Sequence, residues 1–135
     1  MAKRILIVDD SFSFRMLARL ALERAGYAVL EAGNGEEALA QLNNTDGAPL
    51  LCVISDVNMP RMDGVHFVER LKQHPLQKYV PVLMFSTEAN LSKMARCKEM
   101  GVRAWLSKPF LPTTLVEAVG KLVSQEPTQI TANAR

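Results

Sequence analysis

Ile5-Leu6-Ile7-Val8-Asp9-Asp10-Ser11 runs four apolar residues, three of them β-branched, straight into two adjacent carboxylates and a hydroxyl. Unbroken apolar character over so few residues marks a strand covered on both faces, as in a parallel sheet. Four further runs of this kind follow, so strands are expected at residues 5–9, 28–32, 50–55, 80–86 and 103–107. Between them the apolar period becomes helical. Leu17, Leu20 and Ala21 form a stripe that Gly26 ends, and Ala38, Leu39 and Leu42 form the next. Val65, Val68 and Leu71 precede Pro75, and Leu91, Met94 and Ala95 precede Gly101. Pro112 opens the last helix, which carries Leu115, Val119 and Leu122.

Alternating strands and helices in this number make a (βα)5 chain of the α/β class, with right-handed crossovers and helices on both faces. The flavodoxin-like three-layer sandwich, a five-stranded parallel sheet in the order 2-1-3-4-5, is the expected arrangement. Residues 1–124 form one domain. Residues 125–135 lack a hydrophobic stripe and contain Pro127, so a disordered tail is expected there.

With 135 residues, 48% hydrophobic and 22% charged, the chain can bury a core unaided. A net charge of +2 gives no signal for nucleic acid, and no helix-turn-helix pattern appears. Cys52 and Cys97 share no metal-ligand spacing, and reduced thiols suit a cytoplasmic protein. The apolar run after Met1-Ala2-Lys3-Arg4 is too short for a signal-peptide core, and no stretch approaches a membrane span. A cytoplasmic monomer without membrane insertion is expected.

Ligands of open parallel sheets bind outside the carboxyl ends of the strands. Asp9 and Asp10 end the first strand, Asp56 the third, Ser86 and Thr87 the fourth, and Lys108 the fifth. Each has a structural explanation alone; Asp10 or Ser11, for instance, could cap the first helix. Together they gather charge. Three carboxylates sum to −3 and Lys108 returns +1, leaving about −2 for one divalent cation to neutralise. All-oxygen ligands in an incomplete set favour Mg²⁺ over a Ca²⁺ cage. A carboxylate beside Mg²⁺, with a lysine and a hydroxyl to hold equatorial oxygens, suits phosphoryl transfer.

These segments carry a family resemblance. Residues 5–11 resemble the first strand and acidic pair of response-regulator receiver domains. Asp56-Val57-Asn58-Met59-Pro60-Arg61-Met62-Asp63-Gly64 resembles their phosphoacceptor loop, and Lys108-Pro109-Phe110 their Lys-Pro-Phe turn. The likeness covers about residues 4–123, with every motif in order. It implies that Asp56 is the phosphoacceptor. Asp10, Asp56 and the Asn58 carbonyl would bind Mg²⁺, with Asp9 acting mostly through water. Lys108 would contact the phosphoryl group ahead of a cis peptide to Pro109, and Ser86 would swing to bond it. Thr87 and Glu88 follow Ser86 as further candidates. Trp105 stands where the family's switch aromatic is more often Tyr or Phe, and on this reading turns inward when Ser86 moves.

The resemblance also implies a sensor histidine kinase as phosphodonor. An effector protein would dock on the fourth helix, fifth strand and fifth helix, a face with Lys93, Arg96, Lys98, Arg103 and Lys121 against Glu99 and Glu117. Without an output domain, three uses fit: a diffusible regulator, as in chemotaxis, a phosphate sink, or a relay intermediate. A Mg²⁺-dependent aspartyl-phosphate hydrolase is the alternative of a different class. Gly33-Asn34-Gly35-Glu36-Glu37-Ala38 matches a dinucleotide pattern, but Glu31, Glu36 and Glu37 would repel a pyrophosphate. Nor is the first loop hydroxyl-rich, as a flavodoxin needs, or Asp-x-Asp, as in haloacid-dehalogenase phosphatases. His66 and His74 are expected to face solvent, away from the acidic edge.

Overall fold

A computed structural model describes residues 4–86, 91–124 and 130–132. Strands β1 (Arg4–Val8), β2 (Ala28–Ala32), β3 (Cys52–Asp56), β4 (Val82–Ser86) and β5 (Ala104–Ser107) alternate with helices. These are α1 (Phe12–Arg24), α2 (Gly35–Gln41), α3 (Gly64–Leu71), α4 (Leu91–Glu99) and α5 (Pro112–Val123). All neighbouring strands pair in parallel, and the five strands run 2-1-3-4-5 as expected.

A sixth strand, β6 (Ile130–Ala132), pairs in parallel with β5, setting Thr131 beside Trp105. The segment expected to be disordered therefore adds three residues to the sheet. Without it β5 would end the sheet on a row of unpaired backbone groups, and Ile130 and Thr131 are β-branched. Three residues are too few to show a period. The remaining tail residues, 125–129 and 133–135, lie outside the described ones.

Neighbouring side chains along a strand point to opposite faces, and both faces are dry. Leu6, Val8, Val53, Val82 and Met84 join Ala38, Leu42, Phe67, Val68, Leu71 and Cys97 beneath α2, α3 and α4. Ile5, Ile7, Ile54, Leu83 and Phe85 join Ala18, Leu22, Leu115, Ala118, Val119 and Leu122 beneath α1 and α5. The expected α1 stripe is displaced. Ala18 and Leu22 are buried, whereas Phe12, Met16, Leu17 and Leu20 are exposed. Apolar residues on several sides of one helix make its inward face ambiguous until the sheet selects it. In α4, likewise, Cys97 is buried and Ala95 exposed.

The helices start as their caps dictate. Ser11 accepts from Phe14 N at 3.2 Å, which leaves Asp10 free of capping duty. Asn34 accepts from Glu37 N at 2.9 Å while Glu37 Oε1 accepts from Gly33 N at 2.7 Å. The glycine-rich segment is thus a helix start, as its acids suggested. Gln77 was not foreseen. Fully buried, its amide donates to Thr45 Oγ1 and the Ala48 carbonyl and accepts from Leu50 N, fastening the loop before β3.

Gly64 sets how close α3 comes to the end of β3. Its N–H donates to the Val57 carbonyl at 2.8 Å, and Asp63 caps the helix by accepting from His66 N. An added Cβ would collide with the Asp56 carbonyl oxygen and come within 2.8 Å of Met84 Cε. Gly64→Ala is expected to cost about 1–3 kcal/mol, because packed backbone has nowhere to go. A lowered urea midpoint at constant m-value would show it; an unchanged midpoint would mean that the loop yields freely.

Candidate functional site

Parallel register brings the ends of four strands to one edge. Val8 lies beside Ser55, Asp56 beside Phe85, and Ser86 beside Ser107, so Asp9, Asp56, Ser86 and Lys108 close adjacent strands. Carboxylate oxygens of Asp9, Asp10 and Asp56 lie within 4.8 Å of one another. Their burial differs: Asp9 is 0% exposed and Asp56 8%, while Asp10 faces solvent.

Asp9 is fully engaged. Its Oδ1 accepts from Ser11 N at 2.8 Å, its Oδ2 from Lys108 Nζ at 2.6 Å, and its carbonyl from Arg15 at 2.6 Å. Asp56 Oδ2 accepts from the same ammonium at 3.2 Å, and Asp56 Oδ1 from Asn58 N at 3.3 Å. Burial pushes the Asp56 carboxyl above its usual range; the Lys108 charge pulls against this, and the Asp9 charge adds to it.

Two aromatic rings complete the seat of Lys108. Its ammonium lies 4.1 Å from the Phe14 ring centroid and 4.7 Å from that of Phe85. Phe110 meets Phe14 edge-on at 5.4 Å. Ring faces attract a cation, so the lysine is held by charge on one side and by π density on the other. The Lys108–Pro109 peptide is cis.

The three carboxylates could hold a metal ion. Oxygen donors alone, with exposed Asp10 on the open side, fit a hard, partly hydrated cation such as Mg²⁺. Both oxygens of Asp9 and both of Asp56 already accept hydrogen bonds, and each carboxylate keeps lone pairs that a cation could use.

Of the other candidates, Ser86 closes β4, whereas its side chain, Thr87 and Glu88 lie outside the described residues. Trp105 is only 5% exposed and joins the core beneath α4, so an inward turn has little surface left to bury. Its indole N–H has no hydrogen-bond partner among the described residues. His66 is exposed as expected, whereas His74 is half-buried, accepting from Leu76 N and Gln77 N. The basic face is thinner than its composition suggests. Lys93 bonds Asn58 Oδ1 at 3.0 Å, and Arg96 pairs with Glu69 at 2.7 Å, which leaves Lys98, Arg103 and Lys121 outward.

Sequence reasoning missed Arg15, Phe14 and Phe85. Arg15 also grips Glu31 at 3.0 Å, and Arg19 does so at 2.6 Å. Burial alone would raise the Glu31 carboxyl, but these two guanidinium groups outweigh it and hold it below the usual range. Spacing offered one hint, since Arg15 lies one helical turn beyond the capping Ser11. Nothing local marked the two rings.

This sheet order with an acidic, lysine-bearing carboxyl edge defines the CheY-like class of α/β domains. A family model, the response regulator receiver domain, matches residues 5–120. The chain belongs to that family. It is 35% identical over 115 residues to the chemotaxis protein CheY1 of Helicobacter pylori, covering 84% of this chain and 91% of that one. It is 34% identical over 125 residues to the transcriptional regulatory protein SrrA of Staphylococcus aureus, covering 91% of this chain but 48% of that longer protein. Among solved structures, the Vibrio cholerae chemotaxis protein CheY4 superposes with a TM-score of 0.83 at 38% identity, covering 90% and 99% of the two chains. No helix among the described residues is long and apolar enough to cross a membrane.

Three substitutions separate the charges. Lys108→Met leaves Asp9 buried and unpaired, so unfolding free energy should fall by about 3 kcal/mol. Adding Asp9→Asn should recover part of that loss, and no recovery would mean that Lys108 acts through packing alone. Asp10→Asn relieves repulsion at an exposed position, so in metal-free buffer it should raise stability by at most about 1 kcal/mol. Calorimetry with and without Mg²⁺ should also show its stabilisation by the ion reduced. Full stabilisation by Mg²⁺ in Asp10→Asn would remove Asp10 from the ligand set.

Proposed function

We propose that this chain is a response-regulator receiver whose Asp56 takes a phosphoryl group from a phosphohistidine on a sensor histidine kinase, with Mg²⁺ bound. The observation that carries the reading is the seat of Asp56. One of its oxygens lies 3.2 Å from the Lys108 ammonium, and a carboxylate oxygen of Asp56 lies within 4.8 Å of ligand atoms of Asp9 and Asp10.

In the transfer, an Asp56 carboxylate oxygen attacks phosphorus and the donor's P–N bond breaks. The electron pair stays on the imidazole nitrogen, and an acyl phosphate forms. The Lys108 ammonium, already shared between two carboxylates, is placed to offset charge on the transferred group. Asp10, Asp56 and the Asn58 carbonyl would hold Mg²⁺, with Asp9 acting through water; the ion supplies charge neutralisation at the transferred oxygens. Water attack on the acyl phosphate returns the chain to its starting state, so the chemistry is on the protein itself and not on an outside substrate.

The phosphorylated chain then changes its binding to a partner protein at α4, β5 and α5, with Ser86 and Trp105 among the residues that respond. Support for a chemotactic use comes from the CheY relatives, and a cytoplasmic monomer fits that use. Because Trp105 begins buried, its response is a repacking beneath α4 and not a passage from outside to inside.

Incubation with acetyl phosphate or a phosphorylated kinase and Mg²⁺ should add the mass of one phosphoryl group, and Asp56→Asn should add none. Labelling that persists in Asp56→Asn would sink the proposal. Steady release of phosphate from small phosphoesters would point to a hydrolase instead.

A further inference from the structure

Helix α4 is held differently from the rest of the fold. Helix α5 sinks Leu115, Ala118, Val119 and Leu122 into the core, whereas among its described side chains α4 sinks Cys97, with Met94 half-buried. Polar ties also hold it. Arg96 pairs with Glu69 of α3, and Lys93 reaches two acceptors in the segment before α3. The Lys93 ammonium donates to Asn58 Oδ1 at 3.0 Å and lies 3.4 Å from Asp63 Oδ2. Half-exposed ties of this kind are weak, so a modest local change can release the element they hold.

Asn58 is the notable partner. Its N–H donates to Asp56 Oδ1 at 3.3 Å, and its side-chain oxygen accepts from Lys93. One residue thus bonds the reactive carboxylate through its backbone and the first turn of α4 through its side chain. Any group that takes up Asp56 Oδ1 changes the bond to Asn58 N, and the tie to Lys93 sits on the same residue.

We propose that Lys93 is a positioning residue that couples occupancy of the Asp56 site to the docking of α4 through the Asn58 side chain. The coupling rests on the phosphoacceptor reading of Asp56, but the tie itself exists without metal and is testable by itself. Coupling is reciprocal, so whatever the site does to α4, α4 does to the affinity of the site.

Hydrogen exchange of the α4 amides, followed by mass spectrometry, reads the tie. In metal-free protein, Lys93→Met should speed α4 exchange by about two- to fivefold, with α5 unchanged. Lys93→Arg should restore it. Asn58→Ala removes the acceptor while keeping the backbone carbonyl and the Lys93 charge. It should reproduce part of the Lys93→Met effect, because Asp63 still faces Lys93, and the double variant should show no increase beyond Lys93→Met, since partners in one bond are not additive.

Mg²⁺ with beryllofluoride, a phosphoryl mimic, should then shift α4 exchange in the wild type and leave it unshifted in Lys93→Met, with binding verified by calorimetry for both. Unaltered metal-free exchange in Lys93→Met, or additive effects in the double variant, overturns the tie. Binding with a full α4 response in Lys93→Met overturns the coupling and leaves the phosphoacceptor reading standing. Wild-type protein that binds no beryllofluoride under Mg²⁺ refutes both.

Discussion

Two carboxylates share the interior of this protein's functional edge, and they can do so because one ammonium lies between them. Asp9 is fully buried and Asp56 nearly so, and a buried carboxylate needs a cation at hydrogen-bond distance to offset the loss of water. Lys108 meets that need from a position 99 residues along the chain from Asp9. Its seat depends on β1, β3 and β5 ending level and on Phe14 and Phe85 turning their rings toward it. The site is therefore a property of the finished sheet. The same constraint leaves a residual negative charge that a hard cation could meet and sets the lysine where an incoming anion would find it.

The two faces of the sheet are packed differently. Beneath α1 and α5 the core is continuous from Ile5 to Leu122, and little there can move without opening cavities. On the other face, among the described side chains of α4, Cys97 is the buried one, and the ties of Lys93 and Arg96 are half-exposed. Trp105 belongs to this second cluster, buried with its indole N–H unbonded among the described residues.

The strands and helices, their parallel character and the residues at the strand ends were legible because each depends on neighbours in the chain. An apolar run is visible within five residues, and a cap within four. What failed were readings that needed a second element. Leu17 and Leu20 look like core residues until the sheet chooses Ala18 and Leu22 instead. Lys93 and Arg96 look like a free basic face until α3 brings Asn58 and Glu69 alongside. The tail looks unstructured until β5 offers it an edge.

By itself, then, the sequence determined the order of strands and helices, the acidic pair, the aspartate loop and the lysine turn, because local sterics and hydrophobic period set these within a few residues. Only the tertiary structure decided that Asp9 is the buried carboxylate and Asp10 the open one, that Lys108 lies between two acids and two rings, and that Asn58 joins Asp56 to α4. Those outcomes depend on distances between residues far apart in the chain, and no local pattern encodes such a distance until the core has packed.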